Sequence, residues 1–88
     1  MKLTWDEPAW LDYVAWQGED AKIAVRINVL IRECLKTPFA GTGKPEPLRH
    51  ELKGYWSRRI TAEHRLIYRV SGTGKTQSLE IIQCRLHY

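Results

Sequence analysis

Residues Ser57-Arg58-Arg59-Ile60-Thr61-Ala62-Glu63-His64-Arg65-Leu66-Ile67-Tyr68 put arginines and a histidine into two short strand-like runs joined by a polar bend. Alternation predicts what these runs become. Arg59 shares a parity with Tyr55 and Ser57, and Arg65 with Ile67 and Arg69, while Leu66, Tyr68 and Val70 take the other face. A strand with one apolar and one arginine face is a half-buried strand of an antiparallel sheet, covered on one side only. Guanidiniums gathered on the open side repel one another unless solvent or an anion lies among them. This stretch alone fits either a solvated basic face or an anion-binding one.

The flanking sequence predicts what covers the apolar side. Lys2 to Trp5 reads as a short first strand, and Asp6 as the N-cap of a helix that tolerates Pro8 in its first turn. Trp10, Tyr13, Val14 and Leu11 supply an apolar stripe ending near Gly18. Asp20 caps a second helix, whose stripe is Ile23, Ile27, Leu30, Ile31 and Cys34 before Pro38 stops it. Phe39 to Leu48 is expected as a Gly- and Pro-rich loop, Tyr55 to Ile60 and His64 to Ser71 as strands, Gly72 to Lys75 as a hairpin turn, and Thr76 onward as the last strand. The expected fold is α+β, with two N-terminal helices on one face of a twisted, mainly antiparallel sheet.

At 88 residues the chain is expected to form one domain, residues 1–88, burying roughly 60–65% of its unfolded surface. Its formal charge of +4 is unevenly placed. Asp6, Glu7, Asp12, Glu19 and Asp20 make the start acidic, whereas Lys44, Arg49, Lys53, Arg58, Arg59, Arg65 and Arg69 make the second half basic. Such a half suits a polyanionic partner. No apolar segment reaches membrane length, and Met1-Lys2-Leu3-Thr4 leads into Trp5-Asp6-Glu7 with no signal-peptide core, so a cytoplasmic protein is expected. Cys34 and Cys84 fall on apolar faces fifty residues apart. They are expected as buried free thiols, and neither has metal-ligand spacing to a Cys or His partner on its own face.

Gly72-Thr73-Gly74-Lys75-Thr76 imitates the end of a phosphate-binding P-loop. The position that would need the first glycine is Arg69, and a strand rather than a helix is expected after the lysine, so nucleotide binding is not expected.

Two features carry chemistry. In Lys44-Pro45-Glu46-Pro47-Leu48 the two prolines stiffen the backbone around one carboxylate. Glu46 is then either half of a structural ion pair with the arginines or a base held in place. In the last strand Ile82, Cys84 and Leu86 share one parity and Gln83, Arg85 and His87 the other, which would join His87 and Arg85 to the arginine face. A carboxylate, an imidazole, guanidiniums and the aromatic Tyr88 form the set that RNA strand scission by in-line transfer needs. A base takes the 2′-OH proton, arginine stabilises the phosphoryl oxygens, and an acid protonates the leaving 5′-oxygen. The nucleophile is the 2′-OH, so no cofactor or metal-activated water is required. An aromatic ring offers a stacking platform for a splayed base.

These motifs resemble the YoeB-type toxins of the RelE/ParE superfamily. The resemblance rests on Pro38-Phe39, Gly41 to Leu48, Gly54 to Ile60, Glu63 to Tyr68 and Cys84-Arg85-Leu86-His87-Tyr88, with Trp10, Tyr13 and Trp16 fitting the first helix. It implies a microbial-RNase-like sheet and a ribosome-dependent mRNA endoribonuclease. It also implies a YefM-like antitoxin and a homodimer. It maps the base onto Glu46, the phosphate stabiliser onto Arg65 and the acid onto His87, with Tyr88 at the site. Arg59 matches a supporting basic position and Arg49 stands where the family often has lysine; Lys44 and Lys53 are further backbone-positioning charges. The longer hairpin around Ser71 to Gln77 departs from the family. The competing reading is a ParE-like, non-enzymatic inhibitor of DNA gyrase, which would use neither Glu46 nor His87.

Overall fold

The structure, a computed structural model, describes residues 1–86. In chain order it contains β1 (Lys2–Trp5), α1 (Glu7–Glu19), α2 (Ala21–Lys36), β2 (Glu46–Pro47), β3 (Trp56–Arg59), β4 (Arg65–Ser71) and β5 (Ser78–Gln83), with single 3₁₀ turns at His50–Leu52 and Gly74–Thr76. The five strands form one sheet in the order β1-β5-β4-β3-β2. Only β1 and β5 run parallel; the other pairs are antiparallel. Both helices pack on one face of this sheet, so the α+β expectation holds.

Asp20 makes the helical hairpin. Its backbone N–H donates to the Trp16 carbonyl (2.9 Å) to end α1, while its side chain accepts the Lys22 N–H (3.1 Å) to start α2. Asp6 occupies the N-cap position of α1, but its side chain makes no capping bond. Its N–H donates instead to Ile81 O at 2.9 Å, tying the entry of α1 to β5.

The α2 stripe is as expected: Ile27, Leu30, Ile31 and Cys34 are buried and Ile23 half-buried. The α1 stripe is not. Ala9 and Trp16 are its buried residues, whereas Trp10, Leu11 and Val14 are exposed by 46%, 58% and 48%. The inward line is rotated by one residue, because small Ala9 lets the helix close on β5: Cys84 Sγ donates to Ala9 O (3.4 Å) and Trp16 Nε1 to Cys84 O (3.0 Å). Trp10 joins Trp5 and Tyr13 in an aromatic cluster at the margin of the core, with ring centroids 4.8–5.8 Å apart.

The end of the sheet also departs from simple alternation. Tyr68 pairs with Ile81 but Ile67 with Gln83, so Ile82 is the extra residue of a bulge. Leu79 and Ile81 face the helices before the bulge and Cys84 after it, while Leu86, expected on the apolar side, is 57% exposed. The segment expected as loop before Leu48 contains the short strand β2, and the residues after Gly72 form a 3₁₀ turn closed by a Thr73–Thr76 capping box.

Both cysteines are free and buried. Burial pushes the Cys84 thiol up to about 12, against 9.0 unperturbed, and the Tyr68 phenol up to about 12, against 10.0. Both values are raised, so the stability these groups contribute is complete below the unfolded values and is lost as pH rises from about 9 towards 12. The urea midpoint should therefore fall through that alkaline window. At neutral pH neither native thiol should react with a thiol reagent, and both should react in urea. Rapid labelling of the native protein would contradict this burial.

Candidate active site

The site lies on the sheet face away from the helices. Pairing fixes its layout. Glu46 stands opposite Ser57, Ser57 opposite Ile67, and Arg59 opposite Arg65, so all five project to one side. Glu46 and Arg59 are diagonal neighbours, a separation of roughly 7–8 Å for such positions. Ser57 and Ile67 are only 1% and 2% exposed. The floor between the carboxylate and the arginines is thus dry, which strengthens the field of charges around it.

Each charged group is held differently. Glu46 sits between Pro45 and Pro47 on the two-residue β2 and is exposed. It makes no ion pair among the described residues, which removes the structural ion-pair alternative within them. The approach to β2 is fixed by Gly43, whose carbonyl accepts the Arg59 N–H (2.7 Å). Gly43 has φ +87°, and an added Cβ would lie 3.0 Å from Leu30 Cδ2 and 3.2 Å from Arg59 O, so glycine is required there.

Arg65 is drawn back towards the bend that precedes it. Its Nη1 donates to the carbonyls of Thr61 (2.9 Å), Ala62 (3.1 Å) and His64 (3.2 Å). Those bonds orient the guanidinium, and Nε and Nη2 have no acceptor among the described residues. Arg59 is exposed, and its side chain has no partner among them either. Like charges directly opposite across a ladder destabilise it, so this pair is a place where an anion is favourable. An open hollow of about 500 Å³ lies at β2, lined by Glu46, Pro47, Leu48, Arg49 and His50. Lys44 and Lys53 are exposed nearby in sequence, Lys44 next to the Pro-Glu-Pro segment and Lys53 after the 3₁₀ turn.

Other expected members of the basic face are committed elsewhere. Arg69 donates from Nη2 to Glu80 Oε1 (2.6 Å) and lies over the Tyr55 ring (5.1 Å). Ser71 and Arg69 together hold the Glu80 carboxyl below the usual carboxylate range. Arg85 leaves this face for α1, where it pairs with Asp12 (3.4 Å) and Glu19 and lies 3.9 Å from the Trp16 ring centre. The strand has ended at Gln83, so alternation no longer governs where Arg85 points. Arg58 is fully buried on the helix side. Its parity with Trp56 and Ile60 is the sequence signal that places it there. His50 was not singled out from the sequence; it borders the hollow in a left-handed conformation (φ 58°). His87 and Tyr88, the expected acid and platform, lie outside the described residues. Among the described residues, no three His, Cys, Asp or Glu side chains are grouped as a metal site would be, and no helix is long and apolar enough to cross a membrane.

A two-helix hairpin on a five-stranded mixed sheet, with a basic open face, is the architecture of the RelE-like toxins. The structure of a YoeB/ParE toxin from Agrobacterium tumefaciens superimposes with a TM-score of 0.95 at 61% identity, covering 100% of both chains. The Staphylococcus aureus YoeB dimer gives 0.88, and the heterotetrameric YoeB-YefM complex from the same species 0.87. Both are 37% identical, covering 100% of this chain and 98% of theirs. Toxin YoeB of Escherichia coli K12 is 54% identical over 88 residues, the full length of both chains. The family model described as "YoeB-like toxin of bacterial type II toxin-antitoxin system" matches residues 5–88. The chain belongs to this family and is a toxin of a bacterial type II toxin–antitoxin system.

Proposed function

We propose that this toxin is an endoribonuclease that cuts mRNA on the ribosome. The observation that supports it best is the rigidly held Glu46, which has no ion-pair partner among the described residues, on the same dry-floored face as the Arg59–Arg65 pair, whose charges have no carboxylate partner among them either. Glu46 takes the proton of a 2′-OH, and the 2′-oxygen attacks the adjacent phosphorus. Charge gathers on the non-bridging oxygens, where the Nε and Nη2 hydrogens of Arg65, which have no acceptor among the described residues, meet it. The bond from phosphorus to the 5′-oxygen breaks, and His87 supplies the proton that oxygen needs. The products are a 2′,3′-cyclic phosphate and a 5′-hydroxyl. Arg59, Arg49, Lys44 and Lys53 hold the RNA backbone, and Tyr88 stacks on a base.

A carboxylate held apart from every described cation suits a base and has no use in a gyrase-binding inhibitor. The ribosome and its mRNA are the partners in a cytoplasmic reaction. The S. aureus relatives, solved as a complex with YefM and as a dimer, support a YefM-like antitoxin and a homodimer here.

Incubation with programmed ribosomes, followed by mapping of mRNA ends, tests the reading. Discrete cleavage is expected, lost in Glu46→Gln, with no inhibition of gyrase supercoiling. Intact mRNA together with inhibited gyrase would reverse the assignment.

A further inference from the structure

The open face continues past the carboxylate. Glu46 stands opposite Ser57, so its diagonal neighbours are Arg59 on one side and Tyr55 on the other, each roughly 7–8 Å away by position. Arg59 leads to the pair with Arg65. Tyr55 leads to a cluster that no step of the cleavage uses.

Tyr55 meets Arg69 of β4. The guanidinium lies over the ring, 5.1 Å from its centroid, and Nη1 donates to the Tyr55 hydroxyl (3.3 Å). Arg69 is fixed from the other side as well. It stands opposite Glu80 of β5 and donates to Oε1 from Nε (3.1 Å) and Nη2 (2.6 Å). Ser71 Oγ donates to Glu80 Oε2 (2.6 Å) and steadies the carboxylate. One guanidinium is thus locked by partners on three sides.

The locking decides what this arginine can bind. A carboxylate at hydrogen-bond distance matches its charge, which leaves little attraction for a phosphate. All three nitrogens are engaged along the edge, so what it still offers is its plane. The Arg69 side chain keeps 42% of its surface open despite these bonds. A flat guanidinium laid on an aromatic ring and open to solvent is a stacking surface for a nucleic-acid base. A lysine could pair with Glu80 as well; only a stacking role needs the planar head.

We propose that Arg69, backed by Tyr55, is the platform on which the base 5′ of the cut stacks. The side follows from Glu46. The nucleotide whose 2′-OH gives up its proton lies at this carboxylate, and the phosphate under attack lies towards Arg59 and Arg65. The opposite side of Glu46, towards Tyr55 and Arg69, is what remains for that nucleotide's base. The proposal rests on Glu46 and Arg65 acting in cleavage as described above, and adds to it a contact that holds the substrate by stacking.

The test is single-turnover cleavage at subsaturating toxin on programmed ribosomes, with intact mRNA and with mRNA carrying an abasic nucleotide 5′ of the mapped cut. Arg69→Lys keeps the charge and the Glu80 pair but has no plane. It should slow cleavage of intact mRNA by on the order of 10-fold, the size of one lost base stack. Wild type should lose a similar factor on the abasic mRNA, and Arg69→Lys should lose nothing further there, because both changes remove the same contact. Tyr55→Leu, which removes the ring behind the guanidinium, should show the same pattern. Equal rates for wild type and Arg69→Lys on intact mRNA overturn the platform and leave the nuclease reading intact. So does an Arg69→Lys penalty that persists in full on the abasic mRNA, which is what a charge or folding role would give. Failure of the wild-type toxin to cut any mRNA overturns the nuclease reading, and this proposal with it.

Discussion

Replacing Arg65 by alanine should lower the single-turnover rate of mRNA cleavage by on the order of 10²–10³ at saturating toxin, the size expected for losing one preorganised donor. The expectation follows from how the guanidinium is held. Nη1 is occupied by the carbonyls of Thr61, Ala62 and His64, so the remaining hydrogens already point in one direction and need little reorganisation when charge develops. Arg65→Lys should recover little, because an ammonium cannot bridge to the bend and to a phosphate together. Arg49 borders the hollow beside Glu46 and makes no such bonds among the described residues. Arg49→Ala should accordingly weaken ribosome binding in a salt-dependent way and leave the saturated rate near wild type. A wild-type rate for Arg65→Ala at saturation would sink the assignment.

The largest stability effect should come from Arg58, a residue with no part in the chemistry. Its side chain is wholly buried. Nε donates to Tyr68 Oη (3.2 Å), Nη1 to Thr42 O (3.1 Å), and Nη2 to Thr37 O (2.5 Å) and Ala40 O (2.8 Å). Glu33 stands 4.0 Å away and supplies a partly exposed counter-charge. Tyr68 in turn donates to Pro38 O at 2.6 Å. Arg58 and Tyr68 thus replace the hydrogen-bond partners that residues 37–42 lack once α2 has ended. Arg58→Ala leaves Thr42 O without a donor among the described residues, and Thr37 O and Ala40 O with only the Ala40 N–H (3.4 Å) and Thr37 Oγ1 (3.2 Å), beside a cavity, and should cost about 3–5 kcal/mol. That is a large share of the roughly 5–15 kcal/mol that holds a small domain together. Urea denaturation measures the loss, and NMR should show the amides of residues 37–43 losing dispersion first. A loss below about 1 kcal/mol would mean the loop is held by something else.

These two arginines show what the sequence discloses and what it conceals. Arg59 and Arg65 were legible as an open-face pair because alternation holds through β3 and β4, where every residue is in register. Glu46 was legible because prolines constrain a backbone wherever they stand. The α2 stripe and the Asp20 cap are local signals and were equally plain. Arg58 obeyed the same alternation, yet charge made it look like a surface residue; only the bare carbonyls after α2 explain its burial, and those come from a distant segment. Alternation failed in β5 at the Ile82 bulge, and it misplaced Arg85, whose partners Asp12 and Glu19 lie on a helix some seventy residues earlier. The α1 stripe was misread because Ala9, too small to look like a core residue, faces inward. The parallel pairing of β1 with β5 left no mark on either strand, since register across a whole chain is not a local property.

That pairing bears on how the protein is made. β5 is the last strand synthesised, yet in the sheet it lies between β1 and β4. While it and the residues after it are still missing, β1 has no neighbour, Ala9 and Trp16 have no Cys84 thiol and carbonyl to close upon, and the bend at residues 61–64 has no Leu86 to grip. Partial chains therefore cannot settle into the native sheet by adding strands in order of synthesis, and folding waits for the C-terminal segment. A nascent chain in this way has no complete five-stranded sheet beneath Glu46, Arg59 and Arg65 until β5 has been added.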